Sequence, residues 1–407
     1  MNQRIPHDLF NSLETSYPFR ARAYRVDRPA LSAYIHIPFC LHKCIYCDFL
    51  SYSPNQQRRL NCHPEDYADL LIQEIKSTAL QYPNTSGQGL ETIYFGGGTP
   101  TVLPSADLCR ILNALDSTFS IAPNAEITIE MNPETLRQTD FGLLRSAGFN
   151  RLSIGVQAIQ DHLLRRLGRL HRFSDVEALS REARRQGFTN LSADLILALP
   201  GQSSEMIEAS IAAFADLGFE HISAYSLILE EDTPLYCAHQ RGLVELPDED
   251  IERELVHTAL CCLRQHDYQQ YEISNFARNH QYSRHNAAYW LGEYYYGFGL
   301  GAASYLAGHR RINPKLPEEL ITHQYSEDLF VDREEAMREQ VCFALRLLRP
   351  FAGSDFQRRF ACELPETLQA ALEKHHRLGL LEALPEGQYI LSEKGLDFAD
   401  QIALDLI

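Results

Sequence analysis

The stretch Ala33-Tyr-Ile-His-Ile-Pro-Phe-Cys40-Leu-His-Lys-Cys44-Ile-Tyr-Cys47-Asp-Phe49 decides how the rest of the chain is read. It opens as a short strand and then delivers three cysteines at intervals of four and three residues. Three thiolates so spaced can each hold one iron of a four-iron cubane, which leaves the fourth iron without a protein ligand. An open iron can bind a small molecule and pass it one electron, whereas a cluster with four cysteines mainly shuttles electrons. The spacing predicts a [4Fe–4S] cluster on Cys40, Cys44 and Cys47.

Outward from this stretch, strand and helix signals alternate to about residue 230. Short runs rich in β-branched or aromatic residues fall at Ala33–Ile37, Thr92–Phe95, Glu126–Glu130, Arg151–Gly155, Leu191–Leu195 and His221–Leu227. Amphipathic segments between them predict helices at Tyr67–Leu80, Ser105–Asp116, Thr135–Ala147, Ser174–Gln186 and Ser204–Leu217. Gly148-Phe149, Gly187-Phe188 and Gly218-Phe219 read as helix C-caps turning into the next strand. Six βα units give an α/β fold with a parallel sheet, either doubly wound or a partial barrel. Ligands then sit at the carboxyl ends of the strands. Beyond residue 235 the pattern changes: a helix at Asp248–His266, a strand at Tyr268–Ile273, an aromatic segment, then a mostly helical tail with a β element near Gln388–Leu391.

At 407 residues and 45% hydrophobic, the chain can bury a large core in two or three domains. Its apolar runs are too short to span a bilayer. Asp8, Glu14 and Asp27 interrupt both a secretory signal and an organelle-targeting reading of Arg20, Arg22 and Arg25, so a cytoplasmic protein is expected. The net charge of −17 excludes nucleic acid as the main partner. Cys109, Cys261, Cys262 and Cys342 read as small core residues.

The strand ends carry the other chemistry. Gly96-Gly97-Gly98-Thr99 would let a ligand approach the backbone closely. Glu130 ends the third strand, Gly155-Val-Gln157 follows the fourth, and Arg169 comes a helical turn later. Asp194 lies inside an apolar run, where a carboxylate costs several kcal/mol unless partnered. Arg169 and Asp194 therefore read either as structural partners or as a shared ligand site.

With these motifs in this order, the chain resembles radical S-adenosylmethionine (radical SAM) proteins of the oxygen-independent coproporphyrinogen oxidase group, most of all the HemW-type haem chaperones. The resemblance implies a partial (β/α)6 TIM-like radical SAM barrel followed by a smaller, mostly α-helical C-terminal domain. The implied segments are an N-terminal extension (1–30), the barrel (31–235), a connecting region (236–270) and an accessory domain (271–407). It assigns the cluster to the three cysteines and SAM to its open iron. Tyr34, Tyr46, Gly97, Gly98, Thr99, Glu130, Gln157, Arg169 and Asp194 fall at cofactor-contacting positions.

Coproporphyrinogen enzymes of the group carry a further cysteine two residues after the triplet, where this chain has Phe49. The motif His285-Asn286-Ala-Ala-Tyr289-Trp290 is associated in the HemW-type proteins with haem binding, although Ser283 stands where many relatives have cysteine. A histidine can offer an axial nitrogen to haem iron, and aromatic rings offer flat apolar surface. The reading is a protein that binds haem, a [4Fe–4S] cluster and SAM and passes haem to an acceptor protein. The alternative is a radical SAM enzyme acting on a porphyrin, such as coproporphyrinogen III oxidase. The resemblance also implies an electron donor of flavodoxin or ferredoxin type and leaves room for a ligand-linked homodimer.

Overall fold

The computed structural model describes residues 22–25, 29–60, 62–83, 87–322 and 324–406. The expected N-terminal extension, including Arg20, lies largely outside the described residues. Strands β1 (Ser32–Ile37), β2 (Leu90–Gly97), β3 (Ile121–Met131), β4 (Arg151–Gln157), β5 (Leu191–Leu197) and β6 (His221–Ser226) pair in parallel and in chain order. Helices between them, among them Pro64–Gln81, Ser105–Phe119, Phe173–Arg185 and Ser204–Asp216, bury one apolar stripe each against the sheet. The three glycine caps adopt positive φ of 118°, 88° and 78° at Gly148, Gly187 and Gly218, so each helix ends where the sequence places it.

Two expected elements differ. The helix expected over Thr135–Ala147 is a 3₁₀ turn (Pro133–Gln138) followed by a separate helix, Phe141–Ala147. Asp140 divides them, because its side chain caps the second helix by accepting from the Leu143 amide. The strand expected over Tyr268–Ile273 is reduced to β7 (Gln269–Gln270), with the chain resuming as β8 (Asn275–Ala277). Buried Glu272 makes the intervening turn, accepting from the Ser274 amide and the Asn275 side chain.

No break in the sheet marks residue 270. β8 pairs antiparallel with β6, and β7 with β8. At the other edge β9 (Tyr295–Phe298) runs parallel to β1, and β10 (Ala303–Leu306), β11 (His309–Ile312) and β12 (Glu327–Phe330) follow antiparallel. The twelve strands form one sheet in the order β12-β11-β10-β9-β1-β2-β3-β4-β5-β6-β8-β7. The segment expected as a mostly helical domain thus extends the barrel sheet first. Its helical part begins at Arg333 and includes Arg333–Arg346, Gly353–Phe360 and Glu366–Arg377. No helix among the described residues is long and apolar enough to cross a membrane. Cys109, Cys262 and Cys342 are buried as expected, but Cys261 is exposed.

Candidate functional site

β1 runs into the cysteine loop, and backbone hydrogen bonds close that loop on itself. The Cys40 amide donates to the Tyr52 carbonyl and the Tyr52 amide to the Pro38 carbonyl. The loop is pinned from outside as well: the Ile45 amide donates to Leu167 O, and the Leu235 amide to Ile45 O. Cys40, Cys44 and Cys47 are free thiols facing one cavity of about 450 Å³. Burial pushes the Cys47 thiol up to about 11 and also raises Cys40. Among the described residues no three His, Cys, Asp or Glu side chains are grouped to hold a single metal ion.

The donor set fits the expected [4Fe–4S] cluster. Soft thiolates suit iron–sulfur chemistry, and hydrogen bonds to sulfur tune it. Thr99 Oγ1 donates to Cys40 Sγ (3.6 Å) and Arg169 Nη1 to Cys44 Sγ (3.6 Å). Burial works against the Arg169 charge, but Tyr46, Cys44 and Glu134 hold it. Arg169 also donates to the Gly155 carbonyl (2.7 Å) and to Asn132 Oδ1, whose amide in turn donates to Thr99 (2.7 Å). A Cβ at Gly155 would lie 2.6 Å from Asn132 Oδ1, so only glycine admits this crossing.

The walls come mainly from the carboxyl halves of β2 to β6, with Arg151 at the start of β4 reaching the foot. Gly97 has φ 111°, and a Cβ there would meet the His36 ring at 2.6 Å. Glu130 accepts from the Tyr94 hydroxyl (2.7 Å) and the Gly97 amide (3.1 Å). Burial raises its pKa to about 7, with Asp194 adding to the rise. Burial raises Asp194 to about 6, offset in part by Arg151 and by serine hydroxyls, including Ser153 Oγ at 3.4 Å. Gln157 sits at φ 69°, just past a register shift between β4 and β5 that turns it into the cavity. Arg169 and Asp194 line the same cavity without a direct contact, so they share a site and are not partners.

Tyr46, Gly97, Gly98, Glu130, Gln157, Arg169 and Asp194 face this cavity together. Tyr34 and Thr99 stand behind it. Tyr34 bonds His36 Nδ1 (3.0 Å) and stacks on Tyr94; Thr99 supports Cys40. Asn132, Arg151, Ser153, Ser223 and Tyr225 also line the cavity and were not among the expected site residues. For Arg151 and Ser153 a signal was available as a period of two: Arg151, Ser153, Gly155 and Gln157 alternate with Leu152, Ile154 and Val156.

The HNxxYW motif forms a short helix, Arg284–Trp290, that closes the foot of the barrel. Ser283 is its N-cap, the side chain accepting from the Asn286 amide, which explains a hydroxyl at this position. His285 is 1% exposed, and both ring nitrogens are taken, by Thr92 Oγ1 (2.9 Å) and by the Tyr289 hydroxyl (2.9 Å). Burial, with Arg151 adding to it, lowers its pKa to about 3. The expected axial nitrogen is therefore not free in this conformation. Trp290 points away from the cavity, against Phe343 and the Arg346 guanidinium. Only Asn286 of the motif faces the cavity.

Comparison with known proteins agrees with this geometry. Residues 34–214, which hold the cysteine loop and the walls, match the radical SAM superfamily, and the chain is a radical SAM protein. It is 36% identical over 366 residues to the haem chaperone HemW of Bacillus subtilis, spanning 88% of this chain and 94% of that protein. It is 35% identical over 336 residues to HemW of Lactococcus lactis, spanning 81% and 85%. The chain belongs to the HemW-type family. Its fold matches the Escherichia coli coproporphyrinogen III oxidase, a radical SAM enzyme, with a TM-score of 0.78 and 25% identity over 93% of this chain and 90% of that one.

Proposed function

We propose that this protein is a haem chaperone that binds haem and passes it to an acceptor protein, with a [4Fe–4S] cluster and SAM held in the barrel. The observation that carries the reading is the likeness to proteins named as haem chaperones, which spans 88% of this chain and so includes the Arg284–Trp290 helix. Cys40, Cys44 and Cys47 would hold the cluster, which supplies a one-electron donor and an open iron for the methionine part of SAM. Arg169 and Thr99 support the ligand sulfurs, Gly97 and Gly98 leave room for the methionine head, and Glu130 and Asp194 offer acceptors along the wall. Haem ligation through His285 requires Thr92 or Tyr289 to release a ring nitrogen, so haem binding is coupled to movement of the floor helix. A flavodoxin- or ferredoxin-type electron donor, a homodimer and a cytoplasmic location complete the proposal.

The likeness to coproporphyrinogen III oxidase favours a second reading, a radical SAM enzyme acting on a porphyrin. Against it, Phe49 is 64% exposed at the cavity mouth, where those enzymes carry another cysteine. Incubating reconstituted, reduced protein with SAM and coproporphyrinogen III separates the two. The chaperone reading expects no protoporphyrinogen IX, together with saturable haem binding that weakens in His285→Ala. Turnover would establish the second reading, and absence of haem binding would remove the first.

A further inference from the structure

The polar stripe on β4 has work at its upper end and none assigned at its foot. Gly155 and Gln157 serve the rim, and Ser153 reaches Asp194. Arg151, at the start of the strand, is 2% exposed and lines the cavity. Its side chain makes no hydrogen bond or ion pair with any described residue, and its Nε is buried without a partner. The other buried arginines all have direct partners: Arg169 meets Gly155, Arg311 meets Asp328, and Arg359 meets the Leu291 and Gly292 carbonyls. A buried guanidinium without a hydrogen-bonded counter-charge costs several kcal/mol.

Glu130 and Asp194 feel the Arg151 charge, yet neither reaches it as an ion pair. Thr128, its register partner on β3, carries a buried hydroxyl without a partner. From below, Asn286 brings a side-chain amide to the same cavity, with no hydrogen bond to a described residue. These groups are mainly donors, with a planar five-donor fork among them whose geometry matches a carboxylate.

We propose that Arg151, with Asn286 beside it, is a subsite for a ligand carboxylate at the foot of the cavity. It lies four residues below Gly155, roughly 13 Å along the strand from the rim where the cysteine loop sits. Within the proposed function that carboxylate is a porphyrin propionate, because the methionine head of SAM is taken up at the rim beside Gly97 and Gly98. The inference therefore rests on the haem reading.

The test uses full-length reconstituted protein as wild type, Arg151→Gln and Arg151→Lys, titrated with haem and with haem dimethyl ester by absorption. Wild type should prefer haem over its ester by roughly tenfold or more, the range of a charge-assisted hydrogen bond. Arg151→Gln should abolish that preference while binding the ester as wild type does, and Arg151→Lys should keep part of it. A wild type that binds haem and ester equally overturns the subsite and leaves the haem reading standing, as does a folded Arg151→Gln that retains the full preference. A wild type that binds neither overturns the haem reading and the subsite with it. If Arg151→Gln does not fold, the wild-type preference and the Lys variant carry the decision.

Discussion

Asp194 shows how burial at one residue becomes a pH dependence of the whole protein. Its folded-state pKa of about 6 lies above the ordinary value of 3.8, so the folded protein holds its proton where the unfolded chain has released it. The unfavourable contribution is absent below about pH 4, grows between 4 and 6, and is complete above, at most ~3 kcal/mol by linkage. Asp194→Asn should therefore stabilise the ligand-free protein at pH 8 and lose that advantage at pH 4. Chemical denaturation at the two pH values measures it, and an equal effect at both would remove the explanation. Cys44→Ala should abolish the visible Fe–S absorption after anaerobic reconstitution; retained absorption would mean that other cysteines supply ligands. At this scale the cysteines, glycines and Glu130 could be read from the chain because their spacing is local. Arg151 shares the period of two on β4, but that pattern looks the same whether its polar face meets solvent or the barrel interior, so its place in the cavity needed the fold.

At the scale of elements, the helix Arg284–Trp290 joins the haem-associated motif to the cofactor cavity. Its seven residues are too few to persist alone in water, so tertiary contacts must hold it. The Arg284 and His285 amides donate to Glu126, His285 stacks on Tyr94 at 5.1 Å, and Tyr289 packs edge-on to Tyr295. Tyr289→Phe leaves His285 Nε2 buried without a partner and should cost ~1–3 kcal/mol, read as a lower denaturation midpoint. If haem ligation needs that nitrogen released, the same variant should bind haem no more weakly than wild type. Gly97→Ala combines a positive φ with a clash on His36 and should weaken SAM binding along with stability, as calorimetry and denaturation would report. The glycine-capped helices were legible because a cap is written in adjacent residues. The split at Asp140 was not, since the apolar period continues across a residue whose capping role depends on where the chain turns.

At the scale of the molecule, the chain after residue 270 first continues the barrel sheet, from β8 to β12, and turns helical only at Arg333. β9 supplies the parallel neighbour of β1, and the floor helix fills the foot against β2. Beneath β9, Glu74 accepts from the Gly299 amide and the Asn313 side chain, tying the helix Pro64–Gln81 to this part of the sheet. A fragment of residues 31–270 should therefore fail to give a cooperative unfolding transition by circular dichroism; a sharp transition would show that the boundary is real. The sequence by itself determined the βα repeat and which cysteines, glycines and carboxylate gather at the rim of the cavity, because periodicity, capping and residue spacing act between near neighbours. What closes that cavity was decided only by the tertiary structure. Thr92 and His285 are 193 positions apart, and no local rule relates them. Their meeting engages the histidine and leaves Arg151 and Asn286 facing into the cavity, because buried polar groups take whatever partners the fold brings within reach.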